Sequence, residues 1–423
     1  MDYTVRFRTV PPAPEIQLRT PVPRQHSASL GISTPPPKPV KSEDVATVSS
    51  AGSEIEIQSQ PSPQAQRRLL SLDFFRGATI AVMILVNSPG GSVTYWPLQH
   101  AQWNGWTPTD LVFPFFLFIV GVAMVFSFAA RLGRGNSRGA LLLHTLKRSA
   151  IIFFIGLLLN ALFNPHLATL RIPGVLQRIA VAYFAAALIA LYSHTRAQVV
   201  WIVALLLGYW VLMRFLPVPG YGVPGHDIPL LHPDANLASY LDRKLMAGHL
   251  YERTRDPEGA LSTLPAIATL LCGVLTGEWL RSNRTQKRKA AWMLVFGVVG
   301  LVAGELWNIW FPINKKLWTS SYVLFTAGFA LVCLAACYWT IDIKLHRGWW
   351  TRPFLIFGTN AIAAYIISEF LAGFFGWKDI LFQHTFAHVG SPRLASLLYS
   401  LAIVVLCFLP VWWMYRKRIF LKV

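Results

Sequence analysis

Long apolar runs separated by short polar connections fill the chain from Leu69 to its end. Each run is close to the roughly 20 residues that a helix needs to cross the hydrocarbon core of a bilayer. We therefore expect an all-α, polytopic integral membrane protein whose membrane domain occupies residues 67–423. The pattern predicts ten spans, at 70–88, 108–130, 141–163, 174–193, 197–216, 261–280, 290–311, 317–340, 353–375 and 393–415.

Residues 1–66 lack this pattern. They are rich in Pro, Ser, Gln and Thr, as in Pro35-Pro36-Pro37 and Pro61-Ser62-Pro63. A segment of this composition cannot bury enough apolar surface to offset the entropy lost on ordering. The sequence therefore predicts a disordered N-terminal tail.

The excess of basic residues is interpreted here as a feature of membrane topology. Lys and Arg number 38 against 19 Asp and Glu, while 54% of the residues are hydrophobic. The basic residues concentrate in alternate connections, as in Arg131, Arg134 and Arg138, and this distribution places both termini in the cytoplasm. No basic and aromatic binding module is visible, so we expect the bilayer, and no nucleic acid, as the partner of this charge.

A group of polar residues surrounds the entry to the second span. Asn87 ends the first span, His100 lies in the connection and Asp110 opens the second span. Polar groups at this depth are costly unless they are paired or used. An imidazole can accept a proton near neutral pH, a carboxylate can orient it, and an amide can stabilise an oxyanion. These three residues are therefore candidate catalytic residues of acyl transfer, and Gly90-Gly91 would allow a ligand to approach the backbone closely.

Further polar residues could bind substrate. The predicted outer side carries one set: Arg178, Glu305, Asn314, Lys315, Lys316 and Trp318. The predicted cytoplasmic side carries another: Arg76, Lys147 and Arg148. Arg76 equally fits a structural ion pair with Asp73, and Lys147 and Arg148 equally fit side chains that reach the lipid headgroups. The four cysteines lie inside apolar segments, so we predict neither a disulfide nor a metal site.

Several motifs, in order along residues 67–420, make the chain resemble the heparan-alpha-glucosaminide N-acetyltransferase family. Two of them surround the candidate site, His100-Ala101-Gln102-Trp103-Asn104-Gly105 and Asp110-Leu111-Val112-Phe113-Pro114. The others are Arg68-Leu69-Leu70-Ser71-Leu72-Asp73-Phe74-Phe75-Arg76-Gly77, Arg171-Ile172-Pro173-Gly174-Val175-Leu176-Gln177-Arg178, Gly248-His249-Leu250-Tyr251, Thr254-Arg255-Asp256-Pro257-Glu258-Gly259 and Pro312-Ile313-Asn314-Lys315-Lys316-Leu317-Trp318.

The resemblance implies a membrane enzyme that transfers acetyl from cytoplasmic acetyl-CoA to a sugar amine across the membrane. His100 matches the catalytic histidine of the family and Asn87 the nearby active-site asparagine. The family also suggests a homodimer. The lysosomal enzyme has a large luminal domain and a leading span where this chain has its polar tail, so we expect a relative in a bacterial inner membrane that acts on an amino sugar or glycan, with O-acetylation as an alternative. From the residues alone, the same polar groups also fit a secondary transporter of a small polar solute.

Overall fold

The computed structural model of the chain describes residues 69–373, 380 and 382–421. The predicted tail, residues 1–66, lies outside these residues. The helices are α1 (Leu70–Asn87), α2 (Val112–Leu132), α3 (Arg138–Phe163), α4 (Val175–Tyr192), α5 (Thr195–Phe215), α6 (Leu237–Leu245), α7 (Thr263–Arg281), α8 (Gln286–Asn308), α9 (Ser320–Cys337), α10 (Thr351–Thr359), α11 (Ala361–Gly373) and α12 (Pro392–Arg416).

The all-α membrane architecture is confirmed. Among the described residues, nine helices are long and apolar enough to cross a membrane. A bent pair, α10 and α11, would make a tenth span if the pair is counted as one. The chain is thus an integral membrane protein, and the predicted span boundaries lie within a few residues of the observed helix ends.

The ninth predicted span, 353–375, is wrong as one continuous helix. The chain bends by 89° between α10 and α11, and Asn360 lies at the break. The Asn360 side chain is buried and bonds the C-terminal segment, donating to the Ile419 carbonyl at 3.0 Å and accepting from the Leu421 amide at 3.0 Å. Asn side chains that bond backbone outside the helix favour helix ends over helix interiors, which explains the break.

Two helices form the centre of the bundle. In the most apolar part of the second span 72% of the residues are buried, and 67% in α7, against 22% in α8. The axes of α2 and α7 approach closely at two glycines. A Cβ atom on Gly121 would lie 2.0 Å from the Leu270 carbonyl oxygen, and one on Gly273 would lie 2.0 Å from the Phe118 carbonyl oxygen. This contact joins the middle of α2 to the middle of α7, and α2 begins two residues after Asp110.

Four of the five connections on the predicted non-cytoplasmic side meet at one end of the bundle. Trp103 in the first connection donates to the Leu231 carbonyl at 2.7 Å, and the Gly105 amide donates to the Ile313 carbonyl at 2.8 Å. The Ile172 amide donates to the His249 carbonyl at 3.1 Å. The long connection 217–260 also contains α6, a short helix that the span pattern did not predict.

Candidate functional site

His100 and Asp110 form a hydrogen-bonded pair at this end of the bundle. Nδ1 of His100 lies 2.7 Å from Oδ1 of Asp110. The His100 side chain is 49% exposed, while that of Asp110 is 1% exposed. The carboxylate is therefore fixed inside the protein, and it presents the imidazole to the exterior with Nε2 pointing away from the pair.

A local helix-capping motif holds Asp110 in place. Asp110 is the third residue of a 3-10 turn that begins at Pro108, and Thr107 precedes this turn as its cap. Oδ2 of Asp110 accepts hydrogen bonds from the Thr107 amide at 3.1 Å and from the Ala101 amide at 2.9 Å. The Tyr322 hydroxyl of α9 donates to the Asp110 carbonyl. Contacts from the first connection and from α9 thus hold Asp110 with its carboxylate facing His100.

Lys315 contacts both members of the pair, from 205 residues further along the chain than Asp110. Its Nζ lies 2.9 Å from Nδ1 of His100 and 3.3 Å from Oδ1 of Asp110, and its side chain is 23% exposed. Burial lowers the pKa of Lys315, and the facing Asp110 carboxylate acts in the opposite direction. The three side chains form one compact group.

Asn314 and Trp318 hold the segment that carries Lys315. The buried Asn314 side chain accepts from the Leu317 amide at 2.9 Å and donates to Oδ1 of Asn104 at 3.1 Å. Trp318, also buried, adopts a φ of 51° and donates from Nε1 to the Thr269 hydroxyl at 3.1 Å. The polar side-chain atoms of both residues are thus used inside the protein, which gives these two candidates a supporting role.

Arg178 lies beneath this segment and is fully buried. Its guanidinium carbon stands 5.1 Å from the centre of the Trp318 ring. Its Nη2 donates to the Gly259 carbonyl at 3.2 Å and to the Ser262 hydroxyl. Nε and Nη1 of Arg178 have no hydrogen-bond partner among the described residues. A buried cation with two free donors can accept an anionic group from a ligand.

A cleft opens beside the His100 connection. Lys316 and Arg255 share two partners here, the Glu252 carboxylate and the Trp103 ring. The Lys316 Nζ lies 3.4 Å from a Glu252 carboxylate oxygen and 5.7 Å from the centre of the Trp103 ring, and the Arg255 guanidinium lies 5.2 Å from the same ring. Asp242 and Asp256 also line the cleft. An aromatic ring among charged groups of both signs suits a polar ligand better than an apolar one.

Ionic contacts that the sequence did not single out brace the loops around this cleft. Arg171 binds Asp256 with two hydrogen bonds, at 2.9 and 2.7 Å, and binds Glu258 at 2.6 Å. These carboxylates raise the pKa of Arg171. Burial raises the pKa of the nearby Asp242 to about 6. Arg171 and the run Thr254-Arg255-Asp256-Pro257-Glu258 each lie in a motif of the family resemblance, but nothing in either motif indicated that the two pair across different connections.

Three expected site features lie apart from the group. Asn87 is exposed at the end of α1, and no hydrogen bond joins it to His100 or Asp110 in the described structure. Glu305 is exposed on α8, where it accepts from the Asn308 amide at 3.3 Å. Gly90 does not open onto a ligand space as expected, because a Cβ atom there would lie 2.4 Å from the Phe382 ring.

The candidates on the predicted cytoplasmic side occupy the opposite part of the helices. Arg76 lies 3.3 Å from Asp73 and donates to the Gly358 carbonyl of α10 at 3.2 Å. It precedes Asn87 by 11 residues of α1, about 16 Å of helix. Lys147 is exposed on α3, and Arg148 stacks on the Tyr183 ring at 5.2 Å with its buried Nε lacking a hydrogen-bond partner among the described residues.

Comparisons with known proteins agree with the motifs. Residues 68–304 match the family model described as heparan-alpha-glucosaminide N-acetyltransferase, catalytic. The heparan-alpha-glucosaminide N-acetyltransferase of Mus musculus is 32% identical over 425 residues, which cover 87% of this chain and 62% of the mouse protein. That of Homo sapiens is 32% identical over 413 residues, covering 84% of this chain and 60% of the human protein. The chain thus spans about three fifths of the length of these curated relatives.

Proposed function

The chain belongs to the heparan-alpha-glucosaminide N-acetyltransferase family, and we propose that it is a transmembrane acetyltransferase that moves acetyl from acetyl-CoA to the amine of a sugar. The observation that carries this proposal is the hydrogen-bonded pair of His100 and Asp110, in which a buried carboxylate presents a half-exposed imidazole to the exterior. This arrangement is suited to general-base catalysis, because the carboxylate can hold the Nδ1 proton while Nε2 keeps a free lone pair.

In the proposed reaction the acceptor nitrogen attacks the thioester carbonyl of acetyl-CoA. Nε2 of His100 takes the proton that the nitrogen loses, and a tetrahedral intermediate forms. The intermediate collapses by cleavage of its C–S bond, and the CoA sulfur takes the proton from the imidazolium. The products are an acetamide and the CoA thiol. Asn87 would stabilise the oxyanion of the intermediate, which requires the exposed end of α1 to close on the bound substrate.

In a second version of the same chemistry, His100 itself carries the acetyl group. Nε2 would attack the thioester, CoA would leave, and the acceptor amine would then displace the imidazole from the acetyl carbon. Incubation with labelled acetyl-CoA in the absence of acceptor separates the two versions. Label on the peptide that contains His100 supports the carrier, and release of CoA only when acceptor is added supports the general base.

The cations sort into two groups around the proposed substrates. Arg148, whose Nε has no hydrogen-bond partner among the described residues, the adjacent Lys147, and Arg76 on α1 are the candidates for CoA phosphates arriving from the cytoplasm. Arg178 and Lys316 are the candidates for anionic groups at the other end, and Glu305 would contact only an extended acceptor. We propose an amino sugar or glycan on the non-cytoplasmic side as the acceptor, with a hydroxyl as the alternative to the amine.

The proposed setting is a bacterial inner membrane, with both termini in the cytoplasm and the chain as a homodimer. The convergence of four of the five less basic connections at the His100 end supports this orientation, because positive charge is enriched on the cytoplasmic side of membrane proteins. Cross-linking of the protein in its native membrane tests the dimer. Recovery of the protein only at the size of a single chain would contradict it.

The direct test is transfer of labelled acetyl from acetyl-CoA to glucosamine by the purified full chain in nanodiscs. We expect His100→Ala to lower the rate about 100-fold or more, as loss of a general base does. His166→Ala is the matched control, because His166 is another exposed histidine at the same end of the bundle, and within the described part of the chain its ring hydrogen-bonds to Asn164 alone. Transfer undiminished in His100→Ala would contradict the proposal.

A further inference from the structure

The contact of Lys315 with His100 presents a conflict of hydrogen bonding. Nδ1 of His100 lies within hydrogen-bond distance of a carboxylate, Oδ1 of Asp110 at 2.7 Å, and of an ammonium, Nζ of Lys315 at 2.9 Å. The nitrogen must carry a proton to donate to the carboxylate, and it must lack that proton to accept from the ammonium. One neighbour at a time can be satisfied.

The two arrangements give the outward nitrogen opposite chemistry. If Nδ1 donates to Asp110, then in the neutral ring Nε2 has a free lone pair and can accept a proton. If Nδ1 accepts from Lys315, then Nε2 carries the proton and cannot act as a base. In the first arrangement Lys315 still has a partner, because its Nζ also lies 3.3 Å from Oδ1 of Asp110.

The charges decide between a neutral and a protonated imidazole. A buried carboxylate that faced His100 alone would favour the imidazolium, with protons on both nitrogens. Lys315 places a positive charge against the same carboxylate oxygen. The charged groups that face Lys315 are Asp110, with Glu258 and Lys316 further away, and those that face His100 are Asp110 and Lys315. Asp110 and Lys315 together form a nearly neutral pair beside the ring.

We propose that Lys315 is a positioning residue that neutralises Asp110, so that Asp110 fixes the Nδ1 proton of His100 without holding a second proton on Nε2. This inference rests on the proposed function and replaces the role in substrate binding that the sequence suggested for Lys315. It also accounts for the return of the proton. Once Nε2 has taken a proton from the acceptor, the imidazolium lies beside the Lys315 ammonium, and their repulsion favours release of that proton to the leaving CoA sulfur.

The first test is the pH dependence of acetyl transfer. Lys315→Met leaves the Asp110 charge without its counter-charge, so His100 should stay protonated to higher pH. We expect the acid limb of the rate profile to shift upward by about one pH unit. Lys315→Arg restores the positive charge and should return the limb towards its original position. Lys316→Met is the matched control, because Lys316 contacts Glu252 instead and should leave the limb in place whatever its effect on the rate.

The second test needs no catalysis and so separates this inference from the proposed function. Diethylpyrocarbonate modifies unprotonated imidazoles, and mass spectrometry of the peptide with His100 follows this residue among the eleven histidines. We expect the pH midpoint of His100 modification to rise in Lys315→Met and to return in Lys315→Arg. The inference would be overturned if the midpoint in Lys315→Met equalled that of the parent chain. It would also be overturned if Lys315→Met lowered the rate of acetyl transfer by the same factor at every pH. If the parent chain itself showed no acetyl transfer, only the proposed function would be overturned.

Discussion

At the residue scale, the position of Asp110 predicts a large effect of a small change. Asp110→Asn keeps the size of the side chain but places an amide where His100 now finds a carboxylate. The amide group can donate to Nδ1 and so stabilise the tautomer whose Nε2 carries a proton. We expect kcat of acetyl transfer to fall by about 100-fold or more, with a smaller change in KM, as measured by steady-state kinetics.

A second carboxylate and histidine pair provides the control for this variant. Asp227 and His226 lie 2.6 Å apart on an exposed part of the connection 217–260, and among the described residues no hydrogen bond or ion pair joins them to the site. Asp227→Asn should leave the kinetic constants unchanged. Equal losses in the two variants would show that the Asp110 effect is not specific to the site.

Asp242 gives a prediction about pH and stability. Its side chain is buried in the cleft, and burial raises its pKa from 3.8 to about 6. The folded protein therefore binds more protons than the unfolded chain between about pH 4 and 6, and its stability falls as the pH rises through this window. The full effect is on the order of 3 kcal/mol. Asp242→Asn should remove this loss. The thermal midpoint of the variant, measured in detergent, should therefore rise relative to that of the parent chain as the pH increases from 4 to 7. Parallel curves would contradict the assignment.

The residues of the site were only partly predictable from the sequence. His100 and Asp110 are ten positions apart, and their residue types were enough to suggest a pair. Lys315 is 215 positions from His100, and nothing in its own segment indicates that it contacts the imidazole. Asn314 and Trp318 were predicted as ligand contacts because polar and aromatic residues at a membrane entry suggest binding. Their hydrogen bonds to Asn104 and Thr269 depend on the fold, which the local pattern does not contain.

At the element scale, hydropathy predicted where helices lie and missed where one of them breaks. The residues immediately on both sides of Asn360 are largely apolar, so the span 353–375 gave no signal of two helices. The break depends on the C-terminal segment, which lies about 60 residues away in the chain and supplies the hydrogen bonds of Asn360. The helix α6 was missed for the opposite reason, since it is short and polar and lies outside the membrane pattern.

The close contact of α2 and α7 predicts a strong effect of a single methyl group. Gly121→Ala would place its Cβ 2.0 Å from the Leu270 carbonyl oxygen, so one backbone must move. We expect a loss of stability of about 1–3 kcal/mol and reduced activity, because the shift displaces α2, which begins two residues after Asp110. Gly208→Ala in α5 is the control, since nothing lies within 4 Å of a Cβ atom there. Thermal midpoints of the two variants measure the effect, and equal midpoints would contradict the close contact.

At the scale of the whole molecule, the charge distribution and the gathered connections predict a fixed orientation. Gln102 and Arg134 are exposed residues of consecutive connections, on either side of the second span. A membrane-impermeant maleimide added to intact cells should label Gln102→Cys but not Arg134→Cys, and after lysis it should label both. The parent chain is the blank, since its four cysteines lie within helices. Labelling of Arg134→Cys alone in intact cells would reverse the proposed direction of acetyl transfer.

The hydrogen bonds between Asn360 and the C-terminal segment have a practical consequence for purification. Its side-chain amide forms hydrogen bonds with the backbone of Ile419 and Leu421. An affinity tag joined close to Leu421 would therefore load these bonds and the bend between α10 and α11 whenever the protein is captured on a resin. A tag at the other terminus, or one joined through a long flexible spacer, leaves these hydrogen bonds undisturbed and is the better choice for preparing active protein.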